Sequence, residues 1–160
     1  MPSPPPSGLD ADARLRHELV ALLDGRQAHV DAHAVLDDVP LDRVHDRDGA
    51  PHSLYEIAWH LRFTLRDLLD FCRDPDYAEP AWPEAYWPTA DNDDYLDVVQ
   101  AFHADTAAMA DLARTADLTA EIPWAPGYTV LREVLVAADH AAYHLGAAVA
   151  LRRRLGLWPR

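Results

Sequence analysis

The chain has no lysine and only one cysteine, Cys72, in 160 residues, and its 14 basic side chains, all arginine, face 27 acids. Each shortage removes a class of chemistry. Without lysine there is no Schiff-base nucleophile. One cysteine excludes a disulfide framework, a CxxC redox pair and any zinc site built on two or four thiolates, and it suits the reducing cytoplasm expected for this protein. A formal net charge of -13 repels polyanions, so nucleic acid is not an expected partner. No apolar run approaches the roughly 20 residues that span a bilayer, so no membrane association is expected. What is abundant is histidine, nine residues in all, a side chain that ligates metals and moves protons near neutral pH.

Residues 1–8, proline-rich and without the basic and apolar regions of a secretory signal, read as a disordered tail, and residues 9–160 as a single helical domain. Asp10 is placed to cap a first helix that carries Leu15, Leu19, Leu22 and Leu23 at helical spacing, and Gly25 ends it. A short helical piece over 31–38 closes at Pro40, and residues 41–51 read as a loop. Ser53-Leu54-Tyr55-Glu56 is a capping box. Behind it Leu54, Ile57, Ala58, Leu61, Leu65, Leu68 and Cys72 form one apolar stripe. Cys72 therefore reads as core packing. Residues 75–90, rich in aromatics and proline, read as an ordered loop packed over one end of the domain. Asp91 is the expected cap of a third helix with Tyr95, Val98, Val99, Phe102, Met109 and Leu112 inward. A loop carries Pro123-Trp124-Ala125-Pro126-Gly127, and Thr129 caps a last helix running to about Leu155. No segment alternates like a strand. Four main helices make an all-α four-helix bundle the economical architecture.

The last helix holds His140-Ala141-Ala142-Tyr143-His144, and residues at i and i+4 project from one face a turn apart, so both imidazoles can reach one ion. Leu131, Val134, Leu135, Ala138, Ala142, Leu145 and Val149 are its expected core stripe. The neighbours of the histidines, Val136, Ala137, Ala147 and Leu151, are also small or apolar, which predicts burial on two sides. Histidines in such a surface need partners, either a carbonyl or carboxylate for each, or one metal ion for both. His60, about two turns past the Ser53 cap, is the best third ligand. Glu56 shares its face; the capping box is the preferred role, with a place as fourth ligand or in the outer coordination sphere left open. His29 is kept as a neighbour or fourth ligand arriving from the end of the first helix. His17, His33, His45, His52 and His103 read as bystanders. The chain has no GxSxG elbow, P-loop or GxGxxG, and Ala141 after His140 excludes the HExxH metalloprotease pattern.

The stretches Ser53-Leu54-Tyr55-Glu56-Ile57-Ala58-Trp59-His60-Leu61 and Ala138-Asp139-His140-Ala141-Ala142-Tyr143-His144-Leu145-Gly146 resemble the second-helix and last-helix patterns of the DinB/YfiT-like superfamily. The resemblance covers roughly residues 10 to 158. It implies an up-down-down-up four-helix bundle, a divalent metal held by His60, His140 and His144, and a homodimer. Family members often have Gln where this chain has Ala147, which touches a substrate or helix contact rather than the ligands. The resemblance also implies either a metal-dependent hydrolase or a transferase that uses a low-molecular-weight thiol.

Three neutral imidazoles leave an ion such as zinc, nickel, iron or manganese (zinc or nickel favoured) with an open position for water or a cofactor thiol. A small-molecule substrate is expected in a cleft lined by Trp59, Tyr143 or the 82–88 aromatic segment, with Arg62, Arg66 and Arg132 as candidate cations at its mouth. A non-catalytic metal-binding or sensory helical dimer is the competing expectation.

Overall fold

The computed structural model describes residues 7–25, 27–89 and 94–158. It is mostly helical: α1 (Ala11–Leu23), α2 (Ala32–Leu36), α3 (Leu54–Arg73), α4 (Tyr95–Thr115), a two-stranded hairpin of β1 (Glu121–Ile122) and β2 (Ala125–Thr129), and α5 (Val130–Arg154). Single 3-10 turns sit at Leu41–Arg43 and Glu84–Tyr86. Nearly all of the predicted tail, residues 1–6, and the predicted cap Asp91 lie outside the described residues.

The local signals act where their chemistry requires. Asp10 accepts a hydrogen bond from the Ala13 amide at 2.8 Å and starts α1. Gly25, at φ +70°, leaves the helix in the left-handed region that a side chain would resist. The capping box closes both ways, with the Ser53 amide donating to Glu56 Oε2 at 2.7 Å and the Glu56 amide to Ser53 Oγ at 3.2 Å. Asp94 caps α4 through the Leu96 amide, and Thr129 caps α5 through the Arg132 amide.

The long helices meet around one apolar core, α3 packing on α4 and α5, and α1 on both of those. On α3 the buried stripe is Leu54, Ile57, Ala58, Leu61, Leu65, Leu69 and Cys72. Leu69 is fully buried and the predicted Leu68 only partly so, because a four-residue step from Leu65 follows the helical repeat more closely than a three-residue step at this point. The predicted 123–127 loop is instead the turn and second strand of an antiparallel hairpin in which Glu121 pairs with Thr129. Two residues of β1 are too few to show alternation, which is why the pattern was invisible in the sequence.

α5 departs most from expectation. Its buried stripe is Val130, Glu133, Val134, Ala137, Ala138, Leu145, Ala148, Leu151 and Arg152, while Leu135, expected in the core, is 45% exposed. Leu135 lies about 100° around the helix from Val134 and so leaves the core-facing side. Among the described residues α5 is covered on one side, and Leu135, Val136, Gly146, Ala147 and Ala150 lie exposed on another. By length and composition alone α5 could cross a membrane. Its buried stripe nonetheless carries Glu133 and Arg152 and packs on the other helices, as a core helix does.

Arg152 is buried at 3% exposure, and among the described residues no carboxylate pairs with it. Its guanidinium donates to the carbonyls of Ala34 (3.1 Å), Val35 (2.6 Å), Asp38 (3.2 Å) and Leu157 (3.0 Å). The carbonyls at the end of α2, which have no partner inside so short a helix, thus take the donors of a buried cation. Five residues of helix are held in place by this arginine and by the Tyr95 hydroxyl on the Leu36 carbonyl at 2.9 Å.

Candidate metal centre

α3 and α5 bring His60, His140 and His144 together. One ligating nitrogen from each lies within 4.8 Å of the others, and the Nε2 atoms of His60 and His140 are 3.0 Å apart. His60 is buried at 5% exposure, and the α5 pair is half-buried. Nitrogens at about 2.0–2.1 Å from a tetrahedral zinc stand about 3.3 Å from one another, so the His60–His140 pair needs to open by only a few tenths of an ångström to share an ion. Three imidazole nitrogens are a donor set that suits a divalent transition-metal ion.

The orientation of His60 is fixed from outside the triad. Its Nδ1 donates to the Tyr86 carbonyl at 2.6 Å. A carbonyl can only accept, so this tautomer leaves the Nε2 lone pair turned toward His140. Asp67, two turns further along α3, takes the Tyr77 and Tyr86 hydroxyls at 2.7 Å each, which anchors the aromatic segment to the helix carrying His60. Trp87 then lies parallel to the His60 ring at 4.1 Å and 5°, with His52 parallel to its other face at 3.6 Å and 6°. The three rings form a His52–Trp87–His60 stack.

All four of these histidines are held neutral. Burial, reinforced by His144 and His60, pushes His140 down to about 3. Burial, with His60 and His52 nearby, takes His144 to about 4. His60 is lowered by burial against the opposing pull of the Tyr86 carbonyl, and His52 mainly by burial. Neutral imidazole is the form that ligates, so no proton has to be displaced near pH 7. Cys72, by contrast, is pushed up to about 12 by burial and by Glu133, and is inert as a nucleophile.

A cleft of about 450 Å³ opens beside His144 and is lined by His52, Ile57, Trp87, Tyr143, Ala147 and Arg154 among others. Tyr143 is therefore at the cleft as expected. Trp59 is not among the lining residues and stacks on Phe63 at 5.0 Å. The cation at the cleft is Arg154, whose Nε pairs with Asp48 at 3.3 Å. Arg66 is paired with Asp105 and Arg132 with Glu133, away from it. Arg62 lines a different cleft, with Asp67 and Tyr77. Glu56 is occupied by the capping box and by Arg47 at 2.5 Å, and is not in the triad group. His29 bonds the Val30 carbonyl at 2.8 Å and faces a separate groove with Gly146 and Arg153.

Sequence reasoning missed His52, the Tyr86 carbonyl and Arg154. Only the density of aromatics in residues 75–90 signalled that this segment covers something.

These features define the class: a mostly helical protein with a small two-stranded sheet and a partly buried three-histidine group that could hold a metal ion. The chain belongs to the DinB superfamily, whose family profile matches residues 14–148. No curated protein and no solved structure matches it.

Proposed function

We propose that the chain is a metal-dependent enzyme in which His60, His140 and His144 hold a divalent ion, zinc or nickel favoured, with an open position toward the cleft. The observation carrying this reading is the fixed Nε2 of His60 converging with the α5 pair at the wall of a cleft of ligand size. When bound, the ion supplies Lewis acidity that ionises water or a small thiol near neutral pH.

The chain's own residues divide the remaining work. Tyr86 and Asp67 keep His60 oriented. Trp87, Ile57 and Ala147 offer an apolar wall that excludes water, and Arg154 offers a cation to an anionic substrate or cofactor. Among the described residues the cleft lining contains no aspartate or glutamate. Either reaction would draw its nucleophile from the ion rather than from a carboxylate base: hydrolysis from ionised water, transfer from an ionised low-molecular-weight thiol.

The finer architecture proposed is an up-down-down-up bundle of α1, α3, α4 and α5. A second copy of the chain is the partner proposed for the exposed Leu135 and Val136 face of α5, and the cytoplasm the setting.

Elemental analysis of untagged protein beside His60→Ala and His140→Ala tests the metal site. Loss of one ion per chain in both variants relative to the wild type supports it, and unchanged content in both overturns it. Small thiols with electrophiles, run against ester and amide substrates, then test the reaction. Turnover of esters or amides alone establishes hydrolysis instead, and a bound metal without turnover of any kind leaves a metal-binding module. Sedimentation at rising ionic strength reports the dimer.

A further inference from the structure

His33 and His103, both expected to be bystanders, meet at Asp37, the C-cap of α2. His33 Nδ1 lies 2.7 Å from Asp37 Oδ2, and His103 Nε2 lies 2.7 Å from Asp37 Oδ1. The ligating atoms of all three fall within 4.8 Å of one another, and no residue is shared with the triad. We infer that His33, Asp37 and His103 form a second transition-metal site, a two-histidine, one-carboxylate set that joins α2 to α4.

The arrangement has two features that a chance surface ion pair lacks. Two imidazoles from different helices converge on the two oxygens of one carboxylate, so a single ion near Asp37 is within reach of both rings. The set is also anchored on fixed elements. His103 follows the fully packed Phe102 on the middle of α4, and Asp37 is the C-cap of α2, whose carbonyls hold Arg152 and Tyr95. The His33 and His103 rings are stacked at 3.7 Å and 17°. Parallel rings cannot both aim lone pairs at one ion, so one must turn. His33 is the one free to do so, its side chain being 58% exposed against 20% for His103.

Coordination through these atoms requires each neutral ring to carry its proton on the other nitrogen, Nε2 of His33 and Nδ1 of His103. Water at the site allows that exchange with no net change in protonation. Asp37 is ionised near neutral pH, as an ordinary aspartate is, so its oxygens are available to ligate. Because the set is partly exposed, remaining coordination positions fall to water. The ion's role is to clamp the short α2 against α4, and the affinity is lower than that of a closed cage.

The test uses the full chain carrying His140→Gln and His144→Gln, which disables the triad, with Cu²⁺ alone as the probe because it binds such sites most tightly among these ions. The expected result is one Cu²⁺ per chain by calorimetry and an electron paramagnetic resonance spectrum split by two nitrogens. His33→Gln or His103→Gln added to this background should weaken binding at least about tenfold, and Zn²⁺ should raise the thermal midpoint only where both histidines remain. Absence of Cu²⁺ binding overturns the site and leaves a hydrogen-bonded clip. Binding unchanged by both substitutions overturns it equally. Should the triad variant fail to fold, the wild-type chain serves: the number of ions bound per chain must fall by one in His103→Gln, and a constant count overturns the site. Loss of the triad's own ion leaves these readouts intact, so the two metal proposals fail separately.

Discussion

The Nδ1 of His60 and the carbonyl oxygen of Tyr86 lie 2.6 Å apart, although the two residues are 26 positions apart in the chain and in different elements. Through this one hydrogen bond the aromatic segment after α3 decides which nitrogen of a helix-borne histidine faces the triad. The carbonyl cannot be mutated, but its anchor can. Asp67→Ala frees the Tyr77 and Tyr86 hydroxyls and loosens the segment. Metal affinity should fall roughly 10- to 100-fold with helicity retained, as measured by competition against a chromophoric chelator. An affinity equal to wild type would show that the segment does not orient His60.

The depressed histidines predict an acid-sensitive apoprotein. In the unfolded chain His140 and His144 take up protons below about pH 6.5, whereas in the fold they resist protonation down to about 3 and 4. The unfolded state binds more protons in that window, so stability is fully present above about 6.5 and declines as pH falls from there toward 4. Urea midpoints measured with chelator present should show this slope, and His140→Leu should flatten it. A wild-type midpoint that stays level from pH 7 to pH 4.5 contradicts the burial argument.

His52 stacks on Trp87 and belongs to the cleft, but not to the triad group. His52→Ala should therefore leave metal content at the wild-type level while changing the affinity for cleft ligands. Trp87→Ala should disturb both, because it strips the stacked ring from His60. Elemental analysis beside a ligand titration separates the two outcomes, and metal loss in His52→Ala would make it a ligand.

At Ala147 the chain presents a methyl group to the cleft. Ala147→Gln places an amide there from an exposed helix position, so stability should change by less than about 0.5 kcal/mol. Entry of apolar ligands should be reduced several-fold with metal content unchanged. Equal ligand affinity in the variant and the wild type would show that this wall is not used.

Arg152→Leu leaves several carbonyls at the end of α2 without their donor. Each orphaned buried group costs about 1–3 kcal/mol where water cannot reach it. Partial access to solvent makes a total loss of about 2–4 kcal/mol the expected result in urea unfolding. A loss below about 1 kcal/mol would mean that α2 reseats itself without the arginine.

What was legible in the sequence follows one rule. The caps at Asp10, Ser53 and Thr129 and the pairing of His140 with His144 depend on residues three or four apart, and helical geometry turns such spacings into neighbours without any help from the rest of the chain. The identity of the third histidine was also readable, since His60 sits at the edge of a stripe whose phase the capping box sets. Leu135 was misjudged because an apolar residue on an apolar helix carries no mark of which side meets the core. His52 and His103 read as bystanders because their partners, Trp87 and Asp37, lie 35 and 66 positions away in the chain.

The scarcities of lysine and cysteine, the histidine excess and the helical spacings thus determined, by themselves, a helical chain with an i, i+4 histidine pair and no thiol of its own to use. Only the tertiary structure decided which nitrogens face one another, that an aromatic segment locks His60, and that Arg154 rather than Arg62, Arg66 or Arg132 stands at the cleft. The reason is physical. Local spacing sets direction along one helix, while distance between helices is set by how whole faces pack, and no short window of sequence contains both partners of such a contact.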